Sequence, residues 1–197
     1  GEDAEFYLPL AGEFQVTNAL VAFAMAVSTG VDKDDALESL AKIEGAKGRL
    51  ELVAEHNGAA VFVDYAHTPD ALETALKALR PFAKERLISV FGCGGDRDKG
   101  KRGPMGQAAK QNSDVAILTD DNPRTEDPAA IRSDVVAEVS DLVEVAGRDN
   151  AIKQAVAMLN PGDVLLVAGK GHEDYQIIGE TKHHFSDHEE VLKAVGA

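Results

Sequence analysis

Short apolar runs alternate with helix-like segments from about residue 50 to the end of the chain. The apolar runs predict a set of strands at residues 50–55, 60–64, 87–91, 115–118, 164–168 and, more weakly, 175–178. Helices are predicted around them at residues 69–80, 101–111, 128–140, 151–159 and 187–195. Continuous apolar strands joined by helical crossovers are typical of a mostly parallel sheet with helices on both faces. The predicted fold class is therefore α/β, and the weak last strand is a candidate antiparallel edge.

The leading part of the chain has a different pattern. Residues 17–29 form a predicted alanine-rich helix that ends before Gly30, and Asp32 opens a second helix that reaches about residue 43. Two helices bury little apolar surface by themselves, so we expect this part to pack on another domain, either the one that follows or one outside the chain. The boundary between the two parts is predicted near residues 46–50.

Composition and charge narrow the class of protein. The 197 residues are 44% hydrophobic and 27% charged, which is ordinary for a soluble globular protein. A formal net charge of −14 argues against non-specific nucleic-acid binding, which needs a basic face. No apolar run has membrane-spanning length, the acidic N-terminus has no secretory signal, and the single Cys93 cannot form an internal disulfide. We therefore expect a cytoplasmic protein without a membrane partner.

A polar hexapeptide, Thr-Asp-Asp-Asn-Pro-Arg, ends at Arg124 and directly follows a predicted strand. In open α/β sheets, ligands bind beyond the carboxyl ends of the strands, so Asn122 and Arg124 are candidate ligand contacts. Arginine presents a planar set of donors that matches a carboxylate, and Pro123 restricts the backbone between the two side chains. The pattern favours a small acidic ligand. The alternative is a turn in which Asp121 caps the next helix and Arg124 lies in solvent.

A glycine-rich loop follows the predicted strand at residues 87–91. Residues 92–97 read Gly-Cys-Gly-Gly-Asp-Arg, which is a kind of loop that lets backbone amides approach an anion, although its spacing matches neither a Walker A loop nor a dinucleotide fingerprint. Four cations, of which Arg97 is the first, fall within the six residues 97–102. In an acidic protein this favours an anionic ligand, and the alternative is a solvated loop. Cys93 is interpreted as a packing residue rather than a nucleophile.

Polar residues also follow the second predicted strand, at Asp64, Tyr65 and His67. An aspartate can hold a pair of ribose hydroxyls, and an aromatic ring or an imidazole can pack on a base. The alternative is a helix start capped by Thr68, but that interpretation leaves the other three residues unexplained.

A third glycine-rich loop begins at Gly169, after the fifth predicted strand, and contains Glu173. Glu173 would suit an ammonium group, which is opposite in sign to the ligand groups that Arg97 and Arg124 would bind. A ligand with both a carboxylate and an amine is an amino acid. Three late histidines lack a regular ligand spacing, which favours a surface cluster over a metal site; they are His183, His184 and His188.

Taken together, six stretches resemble the Mur ligases of bacterial peptidoglycan synthesis. They are residues 12–20, 48–51, 64–72, 92–102, 121–124 and 169–176. Each stretch is moderately specific, and their joint occurrence in this order is a strong signal. The Asp-Asn-Pro-Arg form of residues 121–124 is similar to the branch of the family that adds diaminopimelate, whereas lysine-adding relatives usually lack that arginine.

The resemblance implies a Rossmann-like C-terminal domain at residues 47–197, preceded at residues 1–46 by a helical tail of the central ATPase domain. It also implies an ATP-dependent amide ligase. ATP would phosphorylate the D-glutamate γ-carboxylate of UDP-N-acetylmuramoyl-L-Ala-D-Glu, and the amine of meso-diaminopimelate would attack the acyl phosphate. By the same resemblance, diaminopimelate would be held by Arg97, Asn122, Arg124, Gly169 and Glu173. ATP would be contacted by Asn18, Arg49 and Asp64, with Tyr65 and His67 nearby.

One part of the family pattern is missing from the chain. The phosphate-binding loop Gly-x-x-Gly-Lys-Thr does not occur in the 197 residues, and the magnesium ligands and modified lysine of the central domain are also missing. We therefore expect no catalytic or metal-binding residue here, with Mg²⁺ held outside this piece by domains that precede it. The chain is expected to be a monomer of the bacterial cytoplasm that binds but does not ligate.

Two alternatives remain open from the sequence. One is a related amide ligase of the folylpolyglutamate synthetase type, against which the Asp-Asn-Pro-Arg and Gly-Lys-Gly-His-Glu stretches argue. The other is a non-catalytic module that senses an acidic amino acid or a nucleotide.

Overall fold

The structure is a computed structural model that describes residues 5–196. Residues 1–4 and 197, which the sequence assigns to the outer ends of the two predicted domains, lie outside the described residues. The chain divides into two compact units between Ala46 and Lys47.

In its described part, residues 5–46, the first unit contains two helices, α1 (Glu13–Ser28) and α2 (Lys33–Leu40). Asp32 caps α2 as its sequence position predicts, because its carboxylate accepts a hydrogen bond from the Asp34 backbone N–H at 2.9 Å. The first helix begins four residues earlier than predicted, directly after Gly12, whose φ of 99° is readily adopted by glycine.

The second unit is built on a six-stranded sheet. Its strands are β1 (Glu51–His56), β2 (Ala59–Asp64), β3 (Leu87–Cys93), β4 (Val115–Asp120), β5 (Val143–Glu144) and β6 (Val164–Ala168). Their order across the sheet is β1-β2-β6-β3-β4-β5, and every pair except β1–β2 is parallel. The prediction of an α/β fold with a mostly parallel sheet is confirmed.

The antiparallel edge of the sheet is β1, and the prediction that placed it at the last weak strand is wrong. Strands β1 and β2 form a hairpin through Asn57 and Gly58, which have φ values of 52° and 77°. Two consecutive residues with positive φ produce a turn whose twist matches that of an antiparallel pair. The chain therefore reverses directly, without the helical crossover that a parallel pair needs.

The weak strand predicted at residues 175–178 exists as β7 (Tyr175–Ile178), but it pairs outside the main sheet. Its partner is β8 (Thr181–His184), in a separate two-stranded hairpin closed by Gly179 at φ 61°. One isolated bridge joins Arg124 to Ile178, so this hairpin lies beside the loop that follows β4.

Helices cover both faces of the sheet. They are α3 (Pro69–Leu79), α4 (Arg102–Asn112), α5 (Pro128–Val136), α6 (Arg148–Ala157) and α7 (Asp187–Val195). Helices α6 and α7 pack together over one face, where Ile152 and Val156 belong to the same buried apolar cluster as strand residues such as Val90. Helices α3, α4 and α5 lie side by side over the other face. Within the described residues, no helix is both long and apolar enough to cross a membrane.

Candidate functional site

Four loops meet at one edge of the sheet. Strands β2, β6, β3 and β4 are adjacent and parallel, so their carboxyl ends lie together. The loops that leave these ends are residues 65–68, 169–174, 94–101 and 121–127. The carboxyl edge of a parallel sheet is the usual ligand-binding edge of such folds. All but two of the sequence-predicted site residues, Asn18 and Arg49, lie at these strand ends.

Asn122 is the organising residue of the loop after β4. It is only 4% exposed, and its side-chain oxygen accepts hydrogen bonds from the Ile177 backbone N–H at 2.9 Å and from Lys170 Nζ at 3.2 Å. These two donors fix the orientation of the amide, so that Nδ2 donates to Glu173 Oε2 at 3.2 Å. Asn122 therefore joins the loop after β4 to the loop after β6 and to β7.

Arg124 is held by its backbone at a φ of 51°, which is uncommon for a residue other than glycine. Its N–H donates to the Ile177 carbonyl at 3.0 Å, and its carbonyl accepts from the Gly179 N–H at 2.7 Å. These bonds to the β7–β8 hairpin stabilise the strained conformation. The position of the guanidinium group is thus set by the hairpin as well as by Pro123.

Arg97 and Arg124 both lie beside Gly94. A methyl group added at Gly94 would sit 3.0 Å from Arg124 Nη1 and 3.8 Å from Arg97 Cγ. Arg124 Nη1 donates to the Gly95 carbonyl at 2.8 Å, and Arg97 Nη1 donates to the Asp96 carbonyl at 3.2 Å. Within residues 5–196, the other guanidinium nitrogens of these two arginines have no hydrogen-bond partner and could bind a carboxylate.

The other cations of the 97–102 cluster are bound to protein groups. Lys99 and Arg102 pair with Glu126 at 3.2 and 2.8 Å, and Lys101 donates to the His67 carbonyl at 2.9 Å. The backbone N–H of Asp96, together with Arg102, holds the pKa of Glu126 at about 2. Arg97 is therefore the cation of this cluster that is left for a ligand.

Glu173 is the anionic counterpart in the loop after β6. Its Oε2 accepts from Lys170 Nζ at 3.1 Å as well as from Asn122, whereas its Oε1 has a single long contact, 3.4 Å, with the Tyr175 hydroxyl. The negative charge of Glu173, with burial, raises the pKa of Tyr175. The Glu173 side chain is 16% exposed, so one oxygen can still receive a donor from a ligand.

Gly169 begins the same loop and can carry no side chain. Its φ is 122°, and a Cβ would lie 3.0 Å from Asp121 Oδ2. Its N–H donates to the Asp64 carbonyl at 3.0 Å. The glycine thus lets the loops after β2, β4 and β6 approach each other.

Both carboxylate oxygens of Asp64 accept hydrogen bonds from backbone N–H groups. Oδ2 accepts from the Leu50 N–H and Oδ1 from the Ala66 N–H, each at 2.7 Å. Burial raises the pKa of Asp64, and these two hydrogen bonds oppose that rise. The sequence predicted a ribose ligand here; the structure adds that Asp64 ties the Gly48–Leu50 turn to the end of β2.

Rings and a guanidinium group cluster around Tyr65. The Arg49 guanidinium lies 4.7 Å from the centre of the Tyr65 ring, and the rings of His67 and His172 lie 4.6 and 5.1 Å from it. His67 and His172 are exposed and Tyr65 is partly so. Such a group of flat, partly cationic side chains can stack on a nucleotide base.

Asn18 belongs to the first unit, on α1. Its side chain is exposed, and Nδ2 donates to Gln15 Oε1 at 3.1 Å.

Cys93 is buried at the end of β3, where burial raises the pKa of its thiol to about 12. A thiol that remains protonated is a packing group, as predicted from the sequence.

Two residues of the site were missed by the sequence analysis, Lys170 and His172. Both belong to the glycine-rich loop that the sequence singled out, but lysine and histidine are mostly surface residues. The glycines that flank Lys170 indicate a close approach of backbone, which is the one signal in the sequence for its burial.

Among the described residues, no group of three or more His, Cys, Asp or Glu side chains is arranged to hold a metal ion.

Comparisons with known proteins find relatives over nearly the whole chain. Residues 48–171 match the family described as Mur ligase, glutamate ligase domain. A UDP-N-acetylmuramoyl-L-alanyl-D-glutamate–2,6-diaminopimelate ligase from Agrobacterium fabrum is 57% identical over 192 residues, which are 97% of this chain and 39% of that protein. A solved structure of a ligase with the same name has a TM-score of 0.78 at 41% identity and covers 97% of this chain and 40% of its own.

A more distant likeness concerns the fold alone. Folylpolyglutamate synthase from Mycobacterium tuberculosis, solved in complex with ADP and AMPPCP, has a TM-score of 0.64 at 23% identity and covers 84% of this chain and 39% of its own. In each of these comparisons, this chain spans about two fifths of the length of the protein that it matches.

The family match includes more than half of the chain, with Asp64, Arg97, Arg124 and Gly169 inside it. The fold and the identity to named relatives agree with it. The chain therefore belongs to the Mur ligase family.

Proposed function

We propose that this chain is the amino-acid-binding part of an ATP-dependent ligase that adds meso-diaminopimelate to UDP-N-acetylmuramoyl-L-Ala-D-Glu. The name of the Agrobacterium fabrum relative, at 57% identity, supports this assignment. In the whole protein, ATP activates the D-glutamate γ-carboxylate as an acyl phosphate, and an amine of diaminopimelate displaces phosphate from it. We place this reaction in the bacterial cytoplasm.

The observation that carries the proposal is the separation of charge across Asn122. On one side, Arg97 and Arg124 flank Gly94 with unused donors. On the other side, Glu173 is held by Lys170 and by the Asn122 amide. Asn122 contacts both sides, since its carbonyl accepts from Arg124 Nη1 at 3.4 Å. A carboxylate on the arginines and an ammonium group on Glu173 complement this arrangement.

Selectivity for diaminopimelate over lysine follows from Arg124. The two amino acids differ by one distal carboxylate, and lysine would leave the half-buried guanidinium of Arg124 without its partner. An unpaired polar group in a site built for a hydrogen-bonded ligand costs enough to reject an analogue by about 10⁴-fold. Gly169 contributes by its lack of a side chain.

For ATP, we propose that Tyr65, His67 and Arg49 form a surface for the base, with Asp64 and Asn18 as further contacts. The clustering of rings and guanidinium around Tyr65 supports this. Mg²⁺ accompanies ATP in the whole protein, and we propose that its ligands lie outside these 197 residues.

We also propose that residues 1–46 are the tail of a central ATPase domain and residues 47–197 the C-terminal domain. On this account the chain is a monomer that binds amino acid but does not ligate. A ligation assay with ATP, Mg²⁺, the nucleotide-linked dipeptide and meso-diaminopimelate should give no tripeptide product with this chain alone. ATP-dependent product formation by the purified chain would refute the proposal of inactivity.

The binding proposal is tested by titrating the chain with meso-diaminopimelate and with lysine while amide chemical shifts are recorded by NMR, which detects millimolar affinities. Diaminopimelate should bind, and lysine should bind at least about 100-fold more weakly. Arg124→Ala should abolish the difference, whereas Arg80→Ala, at the opposite edge of the sheet, should preserve it. Equal affinities for the two amino acids in the unmodified chain would contradict the proposal.

The same titration with glutamate distinguishes the proposed diaminopimelate-adding function from that of a folylpolyglutamate synthase type of enzyme. Selective binding of glutamate would favour an enzyme of the folylpolyglutamate synthase type, whose fold the chain shares.

A further inference from the structure

Lys170 is a fully buried cation in the centre of the candidate site. It is 0% exposed, although lysine is almost never found without contact to solvent. Its ammonium group has three neighbours: Asn122 Oδ1 at 3.2 Å, Glu173 Oε2 at 3.1 Å and the ring of Tyr175, whose centre is 5.5 Å away. Two of the three donors of the ammonium group are thus hydrogen-bonded, and the Tyr175 ring adds a cation–π contact, while no part of the side chain is exposed to solvent. Lys170 is therefore not itself a ligand contact.

The neighbours of Lys170 are residues that would touch the substrate. Through Asn122 Oδ1 it helps to fix the amide whose Nδ2 donates to Glu173. It donates to Glu173 Oε2, and this leaves Oε1 with only the long contact to the Tyr175 hydroxyl. One buried cation thus contributes to the orientation of both Glu173 and Asn122.

We infer that Lys170 is a positioning residue that fixes Glu173 to receive an ammonium group of the amino-acid substrate, an assignment that rests on the proposed function. The ammonium group of Lys170 and the amide of Asn122 both donate to Glu173 Oε2, so the carboxylate is held in one orientation before a ligand arrives. Preorganisation of this kind reduces the cost of ordering the site on binding. Within residues 5–196, Lys170 makes no hydrogen bond to Arg97 or Arg124 or to the groups that they contact at Gly95 and Asp96, so we expect it to affect the amine end of the ligand and not the carboxylate end.

Two ligands, diaminopimelate and pimelate, distinguish binding at the amine end of the site from binding at the carboxylate end. Pimelate has both carboxylates of diaminopimelate and neither amine, so it tests the arginine side without Glu173. In the unmodified chain, diaminopimelate should bind more tightly than pimelate. Lys170→Met has a similar length and no charge, and it should reduce that preference by about tenfold or more while the affinity for pimelate stays within about twofold. Glu173→Gln should cause the same selective loss.

The control is Lys110→Met, which removes an exposed lysine on α4 and should leave both affinities unchanged. Equal weakening of diaminopimelate and pimelate in Lys170→Met would mean that the loop has collapsed and that Lys170 has only a structural role. Unchanged binding of both ligands would also overturn the inference. Failure of the proposed function is a different result, because there the unmodified chain would not distinguish diaminopimelate from lysine.

A measurement without ligand covers the case in which Lys170→Met is too unstable to titrate. Removal of one partner of a buried ion pair is more damaging than removal of both. The urea midpoint of Lys170→Met/Glu173→Gln should therefore exceed that of Lys170→Met alone. If the two substitutions lower the midpoint additively, Lys170 does not act through Glu173, and the inference is wrong.

Discussion

At the scale of single residues, some carboxylates of the site hold backbone groups in place. Glu126 is the clearest example, since it accepts hydrogen bonds from the Asp96 N–H at 2.7 Å and from Arg102 at 2.8 Å. Asp96 has a φ of 52° and directly precedes Arg97. The position of the exposed Arg97 thus depends on an ionised carboxylate in the neighbouring loop.

The low pKa of Glu126 predicts a specific dependence of stability on pH. Its pKa falls from 4.5 to about 2 because the folded protein stabilises the charged form, chiefly through the Asp96 N–H and Arg102. The contribution to stability is therefore complete above pH 4.5 and is lost as the pH falls towards 2. In urea unfolding, the advantage of the unmodified chain over Glu126→Gln should be largest near neutral pH and shrink between pH 4.5 and 2. Glu55→Gln, which removes an exposed carboxylate, is the control; a difference for Glu126→Gln that is constant with pH would contradict this role.

At the scale of elements, the loops are held by close backbone contacts at glycines. A Cβ on Gly48 would lie 2.3 Å from the Gly171 carbonyl carbon and the His172 nitrogen, and a Cβ on Gly171 would lie 2.7 Å from the Gly48 carbonyl oxygen. Both glycines have positive φ, 68° and 52°. The turn that carries Arg49 and the loop that carries Lys170 and His172 therefore interlock.

Gly48→Ala should separate these two loops. The substitution combines a backbone clash with a left-handed φ, and we expect it to lower the free energy of unfolding by about 2–5 kcal/mol. Gly179→Ala is the matched control: it also has a positive φ, 61°, but nothing lies within 4 Å of its added Cβ, so the cost should be about 1–2 kcal/mol. Urea unfolding measures both. Equal losses in the two variants would show that the Gly48–Gly171 contact does not matter.

Much of the element order could be predicted from the sequence, because strands with continuous apolar runs and helices opened by Thr68 or Asp32 have strong local signals. The two hairpins were missed although their turn residues, Asn57-Gly58 and Gly179-Glu180, are typical of two-residue hairpin loops. Strand β5 has two exposed residues, which is too short for any periodic pattern.

Only part of the candidate site could be predicted, because some of its contacts join residues that are far apart in the sequence. Positions after strands are local information, so Arg97, Asn122, Arg124 and Glu173 were found. The burial of Lys170 depends on loops 48 residues apart in the chain, and no local pattern carries that information.

At the scale of the whole molecule, the second unit gathers opposite charges at one edge of a mostly neutral sheet. The strand order β2-β6-β3-β4 places the loops with Tyr65, Glu173, Arg97 and Arg124 side by side. Although the chain has a net charge of −14, Arg97 and Arg124, which keep guanidinium donors without a protein partner, both lie beside Gly94 in this region. The parallel topology thus brings polar residues that are distant in sequence together on one candidate binding surface for a zwitterionic ligand.

The most direct test of this account is a crystal structure of the chain with meso-diaminopimelate bound. The account predicts one ligand carboxylate within about 3 Å of the guanidinium groups of Arg97 and Arg124, and an ammonium group at the same distance from Glu173 Oε1. A carboxylate bound away from Gly94, or an ammonium group that does not contact Glu173, would contradict it.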